Sequence, residues 1–125
     1  MRQTTLTDVR TVAVSVTDQD RALSFYVHTL GFEKRMDAQI GEEFRWIEVA
    51  PPGAGASIAL SPASEASPAG VDSGIRLTTP DVDGEHETMI QRGVSTDIVL
   101  RWPDLPAMFT FRDADGNTLY VVEAE

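Results

Sequence analysis

The sequence predicts an α+β domain of two βαβββ modules, and three observations predict it. Val12, Val14 and Val16 alternate with Ala13, Ser15 and Thr17, the period of a strand with one apolar face, and a capped helix starts directly after at Asp18. The order strand, helix, three strands then recurs after a small, polar, Pro/Gly-containing stretch at 62–72. The 125 residues suit one compact domain or two small fused units. The organisation expected is therefore one domain over 1–125, with module one at about 9–62, a linker at 62–72 and module two at about 73–125.

Residues 1–8 form a polar lead-in and 9–17 the first strand. The helix spans 18–30: Asp18 is its N-cap, Ala22, Phe25, Tyr26, Thr29 and Leu30 give one packing face, and Gly31 suits the left-handed position that ends it. Strands follow at 32–39, 43–50 and 57–61, separated by turns at Gly41 and at Pro51-Pro52-Gly53-Ala54-Gly55. After the linker, 74–79 is a strand. Asp81 or Asp83 caps a second helix with Val82, His86, Met89 and Ile90 on one face, and Gly93 ends it. Residues 95–101 form a strand and 102–106 a loop, because Pro103 and Pro106 cannot donate to a ladder. Strands at 107–112 and 118–123 are joined by Asp113-Ala114-Asp115-Gly116-Asn117, a connection rich in turn formers.

Composition narrows the function. A net charge of −10 repels phosphate backbones and argues against a nucleic-acid partner. No apolar run is long enough to span a membrane and no signal pattern opens the chain, so a cytoplasmic location is expected. Cysteine is absent, which removes disulfides and thiolate metal sites. His28 and His86 are the two histidines. His86 sits on a helix packing face and His28 on a solvated one, placements more usual for structural than for ligating imidazoles.

Each half-buried strand must turn its apolar set toward the helices. Val12, Val14, Val16, Ile47, Val49, Ile58, Leu60, Ile75, Leu77, Phe109, Phe111, Leu119 and Val121 take that side. The opposite face then carries Trp46, Met108 and Tyr120 beside Thr11, Glu48 and Arg76, a few polar groups among aromatics, which suits a small-molecule cleft. A face that covers a dimer partner is the plainer alternative.

Two segments carry a family resemblance. Val16, Asp18, Ala22, Phe25, Tyr26, Leu30, Gly31 and Phe32 resemble the start of a module in the vicinal oxygen chelate superfamily, which includes glyoxalase I, the bleomycin-resistance proteins and the extradiol dioxygenases. The tail FRDADGNTLYVVE is similar to that superfamily's second signature, with Ala114 where proline is usual. The resemblance covers nearly the whole chain. It implies curved mixed sheets lining a cleft, and a homodimer. It also implies metal ligands at four strand positions, which fall here on Thr11, Ala59, Gly74 and Tyr120. None is His, Asp or Glu, so no metal and no cofactor are expected.

The function expected is metal-independent binding of a small organic ligand, as in the bleomycin-resistance branch, by Thr11, Trp46, Glu48, Arg76, Met108 and Tyr120. Arg76 would meet an acidic group of that ligand and Glu48 a basic one. An alternative is a glyoxalase-type lyase, isomerase or dioxygenase-like enzyme with a non-standard site, Glu48 as general base and Arg76 stabilising developing negative charge. A third is a subunit that acts through protein contacts alone.

Overall fold

The computed structural model describes residues 3–125; Met1 and Arg2 of the predicted lead-in lie outside them. The elements are β1 (Thr11–Val16), α1 (Gln19–Ser24, continued by a π-helical turn over Phe25–Thr29), β2 (Glu33–Ile40), β3 (Phe44–Ala50), β4 (Ser57–Pro62), β5 (Asp72–Thr79), α2 (Val82–Gln91), β6 (Ser95–Thr96), β7 (Leu100–Trp102), β8 (Leu105–Arg112) and β9 (Thr118–Glu123). The N-terminal sheet has the order β1-β4-β3-β2, and the C-terminal sheet β5-β9-β8-β6, with β7 also on β8. In each sheet the strand before the helix runs parallel to the last strand, and the remaining pairs are antiparallel. This is the repeated βαβββ topology, with β6 and β7 together in the place that β2 holds in the first module.

The helices obey their caps. Asp18 accepts from Arg21 N, Asp81 accepts from Gly84 N, and Gly31 and Gly93 close the helical segments at φ +82° and +78°. The first helix differs from its expected regular course. It widens after Ser24, so that Leu30 N donates to Phe25 O. The widened turn carries Tyr26, which is fully buried and donates from its hydroxyl to Asp113 Oδ2 at 2.8 Å. Burial and the Asp113 carboxylate push the Tyr26 phenol well above its usual pKa.

The helix-facing sides of both sheets meet in one core. Val14, Val16, Ile47, Val49 and Leu60 of the first sheet join Phe109, Phe111, Leu119 and Val121 of the second, with Tyr26, Val82 and Met89 from the helical layer. Val12 departs from the expected pattern: it keeps the parity of Val14 but is 38% exposed, because β1 is an edge strand and Val12 borders a cavity.

The 113–117 connection does more than turn the chain. Asp113 Oδ1 accepts from Asp115 N and Asn117 N, both at 2.9 Å. Asn117 Nδ2 donates to Ser15 O, and Asp115 Oδ1 accepts from Thr17 N and Arg21 Nη2. The hairpin thereby clamps β1 and α1 of the first module to the second.

The expected strand at 95–101 is two strands. Asp97 N donates to Thr110 O, and the Asp97 carboxylate takes Thr110 Oγ1 and Arg112 Nη1, so at Asp97 side-chain bonds join a single backbone bond where the ladder breaks. The expected loop at 102–106 shrinks to a turn over Pro103 and Asp104, with Asp104 at φ +66°. Pro106 lies inside β8. The pairs Leu100–Met108 and Trp102–Leu105 show one extra residue on β8 at that point, and a bulge tolerates the missing proline N–H.

Candidate functional site

On the first sheet, β3 turns Phe44, Trp46 and Glu48 to the face away from the helices, opposite Ile40, Ala38 and Met36 of β2. The Phe44 and Trp46 rings stack at 6.1 Å and 26°. Trp46 Nε1 donates to Glu48 Oε2 at 2.6 Å, and Ser57 Oγ donates to Glu48 Oε1 at 2.6 Å. Ser57 Oγ also lies 2.8 Å from Thr11 Oγ1, and Thr11 donates to Ser57 O. Arg10 Nη1 stands 3.6 Å from Glu48 Oε2. Glu48 is only 4% exposed, and both carboxylate oxygens are occupied. The Ser57 and Trp46 donors hold its carboxyl below the usual range against the opposing effect of burial. Glu48 is therefore a fixed anion that orients an indole, and a weak base.

On the second sheet, Arg76 pairs with Tyr120 across β5 and β9. A register shift between Asp72 and Arg76, with Gly74 at φ +69°, lets Asp72 Oδ1 accept from Gly74 N while Asp72 Oδ2 accepts from the Tyr120 hydroxyl at 2.6 Å. The Arg76 guanidinium carbon lies 4.3 Å from the Tyr120 ring centroid, in cation–π range. The Tyr120 hydroxyl and the Gly74 amide lower the Asp72 pKa, and the bond to Asp72 raises that of Tyr120. In contrast to Glu48, both Arg76 and Tyr120 remain open to solvent on one side.

The six residues singled out from the sequence thus fall into two groups. Thr11, Trp46 and Glu48 share one hydrogen-bonded cluster; Arg76 and Tyr120 form another, with Met108 on the same face through its pair with Val122. Among the described residues no hydrogen bond joins the groups. A cavity of about 710 Å³ runs between the unpaired edges of β1 and β5, walled by Pro51, Pro52 and Ala54 and floored by Val12, Ile58, Ile75 and Leu77. Of the six, Arg76 alone lines it. The aliphatic floor residues had the strand parity of core positions. Val12, Ile75 and Leu77 reach the cavity because β1 and β5 are edge strands, a property of sheet order, while Ile58 of the interior strand β4 stays 4% exposed. Ser57 was missed as a partner of Glu48 because its hydroxyl looks like any strand serine in the sequence.

The residues at the four family metal positions do not fit a divalent ion. Ala59 and Gly74 bring no donor, the Thr11 hydroxyl is engaged with Ser57, and the Tyr120 hydroxyl with Asp72. Among the described residues there is no group of three or more His, Asp or Glu placed to hold a metal. Nor, among them, is any helix long and apolar enough to cross a membrane.

The family model described as Glyoxalase/Bleomycin resistance protein/Dioxygenase superfamily matches residues 9–121. A protein of Bacillus subtilis (strain 168), uncharacterized protein YetH, is 31% identical over 116 residues, 92% of this chain and 97% of that protein. A crystal structure of a member of the glyoxalase/bleomycin resistance protein/dioxygenase superfamily from Sphaerobacter thermophilus DSM 20745 superposes with a TM-score of 0.89 at 36% identity, covering 95% of this chain and 98% of that one. TnmS3, an antibiotic binding protein from Streptomyces sp. CB03234, superposes with a TM-score of 0.87 at 34% identity, covering 98% of this chain and 100% of that one.

Proposed function

The chain belongs to the Glyoxalase/Bleomycin resistance protein/Dioxygenase superfamily, and we propose that within it the protein binds a small organic ligand reversibly and returns it unchanged. The observation that carries this reading is the state of Glu48. A general base works best with a pKa near the operating pH, and this carboxyl is held in the opposite direction with both oxygens occupied. The enzyme alternative built on Glu48 therefore lacks its basicity. The side chains at Thr11, Ala59, Gly74 and Tyr120 support a metal-independent site, and the likeness to an antibiotic binding protein supports the ligand class.

In this proposal Trp46 offers its ring face, Arg76 and Tyr120 offer a cation over a phenol, and Met108 adds apolar cover. Glu48 and Thr11 hold the indole rather than meet a basic group of the ligand. The test is a thermal-stabilisation screen of aromatic and charged compounds. A ligand at 100 times its Kd should add about 2.7 kcal/mol of stability, and Trp46→Ala and Arg76→Ala should each weaken it. A panel without hits, or hits indifferent to both substitutions, contradicts the proposal. Near-stoichiometric zinc, nickel or iron surviving dialysis would contradict metal independence.

A homodimer completes the proposal. Leu6 and Val9 stand 86% and 61% exposed, and β1 and β5 each keep one edge unpaired, features that a second copy would cover. Light scattering at micromolar concentration should give twice the monomer mass; a clean monomer contradicts it.

A further inference from the structure

The two modules use the hairpin between their last two strands differently. The 113–117 hairpin of the second module grips the first: Asn117 Nδ2 donates to Ser15 O, and Asp115 Oδ1 accepts from Thr17 N and Arg21 Nη2. The corresponding hairpin of the first module, between β3 and β4, reads Pro51-Pro52-Gly53-Ala54-Gly55-Ala56 and carries no polar side chain. Among the described residues none of its groups hydrogen-bonds to the second module; Ala54 N turns back to Pro51 O, and Arg35 of β2 reaches Pro51 O. Where the polar grip is missing, space is left. The cavity of about 710 Å³ lies against Pro51 and Pro52, and a further cavity of about 200 Å³ lies between the same prolines and Phe32, Met89 and Val121. Both are lined by Pro51, Pro52, Leu77 and Thr78, so they meet as an outer and an inner compartment at a proline corner.

The polar side chains of this space are few and mostly engaged. Ser57 Oγ donates to Glu48, and Ser73 Oγ donates to Thr118 O. Arg76 of the outer compartment gives an N–H to Gly74 O and lays its face on Tyr120, and Glu85 of the inner one has the opposite sign. The lining as a whole therefore calls for no net charge. What stays open is strand-edge backbone. Arg10 O and Val16 O accept from Ser57 N and Ala63 N, so the even-numbered residues of β1 face β4, and Ala13 turns its N–H and C=O to the cavity. Thr79 O accepts from Ala124 N, so Thr78, one residue earlier, turns its own groups away from β9. The open run is short, because Ser15 O and Thr17 N, next along the β1 edge, are taken by the 113–117 hairpin. A pairing strand finds no continuous ladder there, whereas a small molecule needs one or two bonds.

We infer that this space is a second binding site, apart from the helix-free face, for a neutral and largely apolar small molecule with one hydrogen-bonding group. Its apolar parts fill the two compartments around Pro51 and Pro52, and its polar group meets the backbone edge at Ala13 or Thr78. Apolar walls, a few convergent polar groups and a volume between roughly 300 and 1,000 Å³ are the features of small-molecule sites. The inference stands independently of the role proposed for Trp46.

The probe is N-phenyl-1-naphthylamine, neutral, with two apolar ring systems joined at one N–H, titrated by its own emission. Its counterpart, 8-anilinonaphthalene-1-sulfonate, carries the same rings and a negative charge. The neutral probe should saturate at one equivalent per chain and bind at least tenfold tighter than the sulfonate. Ala56→Trp and Val12→Trp, both at exposed positions on the cavity wall, should each weaken it at least threefold, and together at least tenfold. If one of these variants fails to fold by circular dichroism, the other decides. Trp46→Ala and Trp102→Ala should leave the affinity within twofold. Preference for the sulfonate, indifference to the cavity substitutions, or a larger loss in Trp46→Ala or Trp102→Ala overturns the inference. Affinity that rises on dilution, as the mass by light scattering falls from dimer to monomer, assigns the cavity to a second copy and also overturns it. Failure of the naphthylamine while the thermal screen yields a ligand sensitive to Trp46→Ala sinks this inference alone; naphthylamine binding with an empty screen sinks the proposed function and leaves this site standing.

Discussion

The two modules carry similar strand layouts and opposite electrostatic habits. In the first, the charge on the helix-free face is Glu48, buried and closed by Trp46, Ser57 and Arg10. In the second, the charge is Arg76, exposed and closed on one side only by Tyr120 and Gly74 O. A buried ion must be satisfied by the protein itself, since leaving it unpaired costs several kcal/mol, whereas an exposed one can keep donors free for a ligand. In the proposed site the contrast divides the labour of the face: one module would hold an aromatic platform still, and the other would offer charge.

If burial rather than module sets these roles, Asp113 should behave like Glu48 although it belongs to the second module. It accepts from Tyr26, Asp115 N, Asn117 N and Asn117 Nδ2. Asp113→Ala strands all four donors and should cost about 3–5 kcal/mol in urea unfolding; a loss below about 1 kcal/mol would break the comparison. Glu48→Ala should cost about 2–3 kcal/mol and loosen Trp46, read as a shift in tryptophan emission beyond that of a Trp102→Phe background. The Asp72, Arg76 and Tyr120 group should matter least: Tyr120→Phe and Arg76→Gln should each leave the urea midpoint close to that of wild type, because exposed pairs contribute little. A large stability loss at Arg76 would move it from ligand recognition to structure.

Acid sharpens the same contrast. The Glu48 carboxyl is lowered relative to the unfolded chain, so its stabilisation is fully present above the ordinary carboxylate range and is lost as pH falls through and below it, below about pH 4. The stability difference between wild type and Glu48→Gln should shrink from pH 6 to pH 3. A difference that grows on acidification has the wrong sign.

Much of the fold was legible because strand alternation, Asp caps and terminal glycines are local signals. Val14, Val16, Ile47 and Val49 needed only the period of two, and Asp18 and Gly31 bounded the first helical segment. The irregular parts were not local. The π turn at 25–29 widens where Tyr26 reaches Asp113, 87 positions away, and the break at 97–99 answers to Thr110 and Arg112 across the sheet. The site was legible only as a set of side chains on one face. That Glu48 is closed by Ser57, that Arg76 lies over Tyr120, and that a bulge at Pro106 brings Leu105 and Trp102 onto the face of Met108 all depend on register.

The central claim is that the ligand leaves as it came. The direct measurement is to incubate the tightest compound from the thermal screen with wild type and with Glu48→Gln, at one equivalent of protein and then at a hundredfold excess of compound, and to recover it by mass spectrometry. The account predicts one equivalent bound and the full amount recovered at its original mass from both proteins. A product that accumulates beyond one equivalent with wild type and disappears with Glu48→Gln would contradict it.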